Sequence, residues 1–402
     1  MKKAADRIAK AIRSREKIIL YGDADLDGAT SVVILQDAVK SLGGAVSAVY
    51  FPDREAEGYG ISEKGLNLLR TRISLPALLI SLDCGIGNVK EVELANKLGF
   101  EVIIIDHHQV LEKLPEAEII VNPKQPGDKY PFKELACAGV VFKLAEALLK
   151  DKMTEALRKN FLELTAIATI ADMMPRKSEN RIFIDKGLPF LEDSWRPGIQ
   201  AFLGAEPFKE LNDINQKVGK MISILNIRDQ DSEIGEKQGS FLGFNLPVCF
   251  KLLICSSFQQ AKQIINRLLK KTEERDRKIK EIEAEVEKRI NNEKGEPIIF
   301  QGDADFEVIL MSTVASIICH RYLKPVFLYK KMAKESQGTV RTPKEIDGVS
   351  LMKKCSKYLL TYGGHARAAG FRIKNINLGK FKKCLAQNCQ AGKNHEKNNH
   401  LR

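Results

Sequence analysis

The sequence predicts an α/β protein: a mostly parallel-sheet domain joined by a long helix to a smaller α/β domain. Three observations carry this expectation. Apolar, β-branched runs alternate with helical patterns in the first part of the chain, the pattern of strand–helix–strand units. Three of those runs, KIILYGDADLDG, ALLISLDCGIGN and IIIDHHQ, end abruptly in acids or histidines. In open α/β sheets, sites form outside the carboxyl ends of the strands, so the runs are expected to point their polar ends at one place. Finally, residues 257–292 contain no Gly or Pro and many opposite charges at i,i+4. That stretch reads as one helix of about 50 Å, at 1.5 Å per residue.

Taken in order, the N-terminus MKKAADRIAKAIRSREKII is basic and has no apolar signal-peptide core. Its Ala4, Ile8 and Ile12 recur at helical spacing, so it reads as a helix. Residues 17–21 read as a strand, 22–28 as a loop, and a helix runs on to about Leu42, ended by Gly43-Gly44. AVSAVYF and ALLISLD are the next strands, VKEVELANKLG a helix, EVIIID a fourth strand and EIIVN, near 118–122, a fifth. The Pro- and Gly-rich loop NPKQPGDKYPF leads into helical material over 134–171, where Asp172 ends a helix and Pro175 stops it. Residues 180–255 give short helical patterns and one expected strand, PVCFKLLI. The long helix follows, its polar second half reading as a solvated strut. Beyond Gly295 a second α/β pattern begins: PIIF, the helical TVASIICHRYL, PVFLYK, QGTVRT, a helix near 349–360, a loop TYGGHARAAG and the strand FRI. The expected organisation is a first domain over 1–205, a connecting region over 206–292 that includes the long helix, a small domain over 293–390 and a disordered polar tail over 391–402.

At 402 residues the chain is too long for one typical core. No apolar run reaches the 18 residues of a membrane span. A net charge of +12 makes a polyanion a natural partner, through phosphate contacts and counterion release. The eight cysteines form no C-x-x-C pair, which argues against a zinc ribbon and for free thiols in a reducing cytoplasm. Cys84, beside Asp83, is expected to be a small buried filler.

DADLDG places three acids at alternate positions, as a calcium-binding EF-hand loop does. That loop needs a Glu at its twelfth position, where Ile34 stands here, and a preceding helix instead of a strand. Asp23, Asp25, Asp27, Asp83, Asp106, His107, His108 and Asp172 are therefore read as one constellation. So many carboxylates repel one another without cations. Carboxylates with imidazole suit Mn²⁺ or Mg²⁺, and no thiolates accompany them. Two such ions can clamp a phosphoryl group and activate water between them. Each acid taken alone reads better as a helix cap or a solvated loop residue; only together do they point to a metal site.

GDADLDG, SLDCGIGN, IIIDHHQ and ATIADMMP resemble the four motifs of the DHH phosphoesterase superfamily. PDREAEGYGIS, NPKQPGDKYPFKELACAGVVFKLAEAL, NRIFIDKGLPFL and TYGGHARAAGF further resemble the RecJ-like, single-stranded-DNA-specific exonucleases within it. The resemblance covers about residues 15–390. It implies that Asp25 serves one ion and Asp27 the other with Asp23 assisting, that Asp83 bridges them, and that His107 and Asp172 complete the second site. It further implies that Asp106 orients a histidine and that His108 contacts the scissile phosphate. The C-terminal part resembles the DHHA1 domain, with Gly363, Gly364 and His365 in its GGHxxAAG motif and Arg341 in a small-residue turn. There, glycine amides, a guanidinium fork and an imidazole could hold a phosphate. Asn226 and Arg228 stand where family members carry a segment like N-x-A-G-R. RecJ proteins of the longer type carry an oligonucleotide-binding OB domain, for which this reading finds no room. Before TVASIICHRYL the family often has glycines, where this chain has Glu307 to Leu310.

The implied activity is a two-metal phosphodiesterase, with Mn²⁺ preferred over Mg²⁺, acting on single-stranded nucleic acid with DNA favoured over RNA. It would release 5′-mononucleotides from a 5′ end in DNA repair and recombination. Replication or repair proteins are the expected protein partners; no membrane is expected, and the setting is cytoplasmic. Three rivals stand beside it: an RNA exonuclease or nanoRNase, a catalytically lost replisome scaffold, and an inorganic pyrophosphatase.

Overall fold

The computed structural model describes residues 1–110, 113–225, 236–238, 241–292 and 295–399. They form two compact units, 1–270 and 271–402, divided within the long helix Phe258–Asn292.

The first unit is built on β1 (Lys17–Gly22), β2 (Val46–Tyr50), β3 (Ala77–Leu82), β4 (Phe100–Ile105), β5 (Ile119–Val121), β6 (Glu236–Gln238) and β7 (Phe241–Phe244). The sheet order is β5-β4-β3-β1-β2-β7-β6, parallel except for the antiparallel edge pair β6–β7. Successive residues alternate between two cores. Ile18 and Leu20 join the core under helices Leu26–Ser41, Cys137–Leu149 and Glu155–Ala171. Ile19 and Tyr21 join the one under Glu63–Arg72 and Val89–Leu98. Both faces are covered, which is why these strands read as unbroken apolar runs.

Register sets up the site. Gly22 pairs with Leu82, and Leu82 with Ile105. The next residue on each strand is Asp23, Asp83 and Asp106. Their backbone amides continue the ladder, donating to the carbonyls of Leu82, Ile105 and Val121 at 3.1, 3.0 and 3.0 Å. Three acids from distant parts of the chain therefore stand in one row, neighbours separated by about 4.8 Å. The chain also reverses its direction of sheet growth between β1 and β3, the switch point at which such sheets bind ligands.

The second unit holds β8 (Ile299–Asp303), β9 (Val326–Lys331), β10 (Glu335–Arg341), β11 (Leu359–His365) and β12 (Ala368–Lys374), in the order β11-β12-β10-β9-β8. Only β8–β9 is parallel. Helix Val308–Tyr322 covers one face; Gly348–Lys354 and Leu378–Asn399 cover the other.

Several expectations are corrected. PVCFKLLI is a helix, Val248–Ile254, not a strand. Pro247 is tolerated at its N-cap, and Cys249, Phe250, Leu252 and Leu253 are buried. The strand of that region is β7, parallel to β2. TYGGHARAAG is not a loop: it is the β11–β12 hairpin turning at Ala366-Arg367. The helix near 349–360 is shorter, ending at Lys354, with β11 beginning at Leu359. The second half of the long helix is no bare strut, since Ile279, Ile282 and Val286 are buried at i, i+3 and i+7. Helix Leu378–Asn399 runs through most of the expected disordered tail. Lastly, the cysteines are not all free. Cys355 and Cys384 form a disulfide with a Cα–Cα distance of 6.0 Å, while Cys84, Cys137, Cys249, Cys255, Cys319 and Cys389 lie outside any disulfide. Packing of Gly348–Lys354 on Leu378–Asn399 brings the pair together across 29 residues of sequence, which spacing alone could not reveal.

Candidate metal centre

Each strand end delivers its acid by a different local device. Asp25 caps helix Leu26–Ser41, accepting from the Gly28 amide at 3.0 Å. Gly28 is required there, because a Cβ would lie 2.2 Å from the Asp23 carbonyl oxygen. Asp27 sits in the first turn of that helix and caps a second one. Its carboxylate accepts from the Cys137 and Ala138 amides at 2.7 and 2.8 Å. Asp83 holds a φ of 64°, a left-handed conformation that Gly, Asn and Asp adopt more readily than other residues. Cys84 beside it is fully buried, as its filler role requires. Asp172 is the C-cap of helix Glu155–Ala171.

These side chains converge. Carboxylate or imidazole atoms of Asp23, Asp25 and Asp83 lie within 4.8 Å of one another, as do those of Asp27, His107 and Asp172, and those of Asp83, His107 and His108. His107 Nε2 is 3.2 Å from Asp83 Oδ1, 3.5 Å from Asp172 Oδ2 and 3.9 Å from Asp27 Oδ2. His107 Nε2, Asp83 Oδ1 and Asp172 Oδ2 are buried with no hydrogen-bond partner. Buried polar atoms ordinarily find partners. Orphans aimed at one another, all of them metal-ligating types, fit divalent cations in an oxygen-rich site. Asp83 belongs to two of the groups and so is placed to reach two ions.

The electrostatics agree. Burial, and then Asp25, push the Asp23 carboxyl up to about 6 against the opposing pull of Arg54. Burial and Asp25 likewise raise Asp172 to about 6. Asp27 and Asp83 stand well above the ordinary range, through burial first and neighbouring acids second. Burial and the charge of His108 push His107 down to about 4, leaving it neutral and able to ligate. The centre is an excess of negative charge that cations would relieve.

Asp106 does a different job. It is fully buried, and its Oδ1 accepts from the amides of His107 and His108 at 2.7 and 3.0 Å and lies 2.8 Å from His108 Nδ1. Its Oδ2 accepts from the Ile86 amide at 3.0 Å. Burial alone would raise this carboxyl, but the His108 hydrogen bond and charge outweigh it and hold it low. Burial would lower His108, but Asp106 outweighs that and raises it. His108, its side chain 42% exposed, is thus fixed as a donor facing solvent.

Two residues of this centre escape the sequence reading. Arg54 donates to Asp23 through Nε and a terminal nitrogen, and to Asp25 Oδ2 at 3.0 Å. Tyr59 donates its hydroxyl to the Asp83 carbonyl at 3.0 Å and sits 3.2 Å from His108 Nδ1. Both lie in PDREAEGYGIS. The usable signal was adjacency: β2 neighbours β1, so the loop after β2 must pass beside DADLDG.

In the second unit, Arg341 and His365 both pair with Ala368, on opposite sides of β12. They share one row, about two strand spacings apart. Gly363 and Gly364 lie on exposed edge strand β11, paired with Gly370 and Ala369. Arg341 is held by Ser316 Oγ at 3.0 Å, by Ser312 Oγ and by the Val340 carbonyl at 2.8 Å. Asn226 and Arg228 lie outside the described residues.

Residues 17–169 match the model of the DHH family, N-terminal domain. The chain is 34% identical over 395 residues to the single-stranded-DNA-specific exonuclease RecJ of Bacillus subtilis (strain 168), covering 93% of this chain and 46% of that protein. It is 29% identical to RecJ of Escherichia coli (strain K12), covering 95% of this chain and 67% of that one. The chain thus spans about half the length of the first of these relatives. A crystal structure of exonuclease RecJ bound to manganese matches with a TM-score of 0.74 at 26% identity, over 97% of this chain and 94% of that one.

Proposed function

We propose, from the match of residues 17–169 to the DHH family and the likeness of the chain to RecJ, that it is a RecJ-like member of that family and a two-metal phosphodiesterase that degrades single-stranded DNA. The reading carries 5′ to 3′ polarity, release of 5′-mononucleotides, and a role in DNA repair and recombination. The observation behind it is the three ligand groups sharing Asp83 and His107 at the carboxyl edge of the sheet.

Asp23, Asp25 and Asp83 would hold one divalent ion, and Asp27, His107 and Asp172 the other, with Asp83 reaching both; Mn²⁺ is preferred and Mg²⁺ accepted. When bound, the ions supply Lewis acidity to phosphoryl oxygens and a strong nucleophile from water at neutral pH. His108, held by Asp106, donates a charge-assisted hydrogen bond to the scissile phosphate or its leaving oxygen. Asp106 positions and does not ligate. The catalytic role is proposed for 1–205, to whose sheet and core the residues up to 270 add β6, β7 and further helices, and substrate binding for 293–390 through Arg341, Gly363, Gly364 and His365. No described helix is long and apolar enough to cross a membrane. The proposed setting is cytoplasmic, in keeping with six cysteines outside any disulfide; the Cys355–Cys384 pair is the feature that speaks against it. Replication or repair proteins complete the proposed partners.

The test is to incubate the protein with Mn²⁺ and single-stranded DNA labelled at either end, beside RNA of the same sequence and an Asp83→Ala control. Immediate release of labelled mononucleotide from the 5′ end of DNA alone is expected. Release from the 3′ end reverses the polarity, and a preference for RNA moves the reading to an RNA exonuclease or nanoRNase; both keep the metal chemistry. Unchanged cleavage by the control refutes the metal assignment, and no cleavage of any strand by folded, metal-loaded protein favours the scaffold.

A further inference from the structure

The Cys355–Cys384 disulfide of the second unit has the surroundings of a reactive pair. Cys355, at the end of helix Gly348–Lys354, is fully buried, while Cys384, on helix Leu378–Asn399, is half-buried. A reagent from solvent therefore meets Cys384 first. Lys353, Lys354 and Lys357 flank Cys355, Lys382 and Lys383 flank Cys384, and between Asp347 and Glu396 the chain has no acid. Lys353, Lys354 and Lys383 form no ion pair among the described residues, so no carboxylate offsets their charge. The Asn388 side chain reaches both sulfurs, its Nδ2 3.6 Å from Cys384 Sγ and 3.9 Å from Cys355 Sγ. Neighbouring cations stabilise a thiolate, and N–H donors add to this. The end of helix Gly348–Lys354 opposes it with about half a negative charge, which the lysines exceed. A disulfide whose thiolates are stabilised is the more readily reduced. The pair also sits where its state can be felt. Helix Gly348–Lys354 starts with the Gly348 amide on the Ala366 carbonyl at 2.7 Å, in the β11–β12 turn, and leads through residues 355–358 into β11. It therefore braces that hairpin at both ends, and the disulfide fastens it to Leu378–Asn399.

We propose that Cys355–Cys384 is a reversible thiol–disulfide exchange site for an acidic low-molecular-weight thiol, and that its state sets how firmly the β11–β12 hairpin is held. The lysines that stabilise the thiolates also attract a carboxylate-bearing thiol. Its thiolate attacks Cys384 Sγ, the S–S bond breaks, and Cys355 leaves as a thiolate. A second small thiolate attacks the small-thiol sulfur of the mixed disulfide, releasing the small disulfide and the Cys384 thiolate. The protein gains two electrons, the two small thiols lose them, and two protons pass to the cysteines. The corresponding small disulfide drives the reverse. A pair reduced this easily suits a reducing compartment. The exchange stands apart from the nuclease reading; only its effect on DNA rests on that reading.

The experiment treats the full, folded chain with glutathione, an acidic thiol, or cysteamine, a cationic one, then alkylates new thiols and maps them by peptide mass. Glutathione is expected to reduce the pair without unfolding the protein. Lys354 and Lys383 are exposed, so Lys354→Glu with Lys383→Glu leaves folding intact. That variant is expected to need a ratio of reduced to oxidised glutathione about tenfold higher for half-reduction, one unit in a thiol pKa. It should also slow glutathione more than cysteamine. In Cys355→Ser, or in the parent quenched early, the mixed disulfide is expected on Cys384. A pair that resists glutathione until the protein is unfolded overturns the proposal, as does half-reduction indifferent to the two lysines. For the hairpin, reduction is expected to lower hydrogen-exchange protection of the β11 amides, and to raise KM for single-stranded DNA about threefold at unchanged kcat, the cost of ordering a loosened element on binding. Unchanged protection of β11 overturns the link to the hairpin. Absence of cleavage in both states refutes the nuclease reading alone, since alkylation and hydrogen exchange read the site without it.

Discussion

Replacing Asp106 by Asn tests whether the buried carboxylate acts through His108. Asn is nearly isosteric, so no cavity opens, but it has one acceptor where Asp has two. Three donors converge on Oδ1 and one, the Ile86 amide, on Oδ2. The least damaging arrangement puts the Asn oxygen at the Oδ1 position, leaving its NH₂ facing the Ile86 amide. That strands a buried donor, at about 1–3 kcal/mol, and weakens the charge-assisted bond to His108, worth about 1.5–3 kcal/mol. A combined loss of about 3–5 kcal/mol leaves a chain of this size folded at moderate temperature. His108 loses both its orientation and the charge that keeps its pKa raised. Removing such an orienting carboxylate typically costs about 10–100-fold in activity or metal affinity. The expected result at saturating Mn²⁺ is kcat down about a hundredfold with KM for DNA changed far less, and a lowered Tm. If the Asn variant is destabilised yet keeps kcat within about twofold of the parent, Asp106 only folds the loop and the argument for His108 fails.

Because Asp23 and Asp172 ionise near 6 in the folded chain, protons compete with cations there. Mn²⁺ affinity measured by calorimetry should be steady above about pH 7 and fall as pH drops through 6; an affinity flat from pH 7 to 5 contradicts the ligand assignment. Burial raises Glu163 to about 7, against Ser194, Arg196 and Asn160, from an ordinary 4.5. Between those values the folded state binds the extra proton. Glu163 therefore stabilises below about 4.5 and loses about 3 kcal/mol as pH rises through 7. Glu163→Gln should flatten the decline of Tm between pH 5 and 7.5, and an unaltered profile would remove Glu163 as its origin. Gly28→Ala drives a Cβ into the Asp23 carbonyl, so Mn²⁺ affinity should fall at least about tenfold; unchanged affinity would mean that the loop yields freely.

The alternation of apolar runs with helical patterns was enough to predict the parallel sheet of the first unit and the acids at its strand ends. Periodicity is local, and those strands are buried on both faces. It failed where local signals conflict with pairing. PVCFKLLI is as apolar as a strand, yet folds as a helix because its neighbours cover it on several sides. TYGGHARAAG carries turn residues, yet pairs in register with β12 because AAGFRIK alternates buried and exposed. Arg54 and Tyr59 were visible as residues but not as parts of the centre.

By itself, the sequence determined which side chains could bind metal and that strand ends would carry them. The tertiary structure alone decided that Gly22, Leu82 and Ile105 share a row, so that the following acids stand side by side. It also joined Cys355 to Cys384. Residue chemistry and period are properties of short segments. Register, strand order and the company kept by a charged side chain are set by contacts between segments far apart in the chain, and those exist only once the chain has folded.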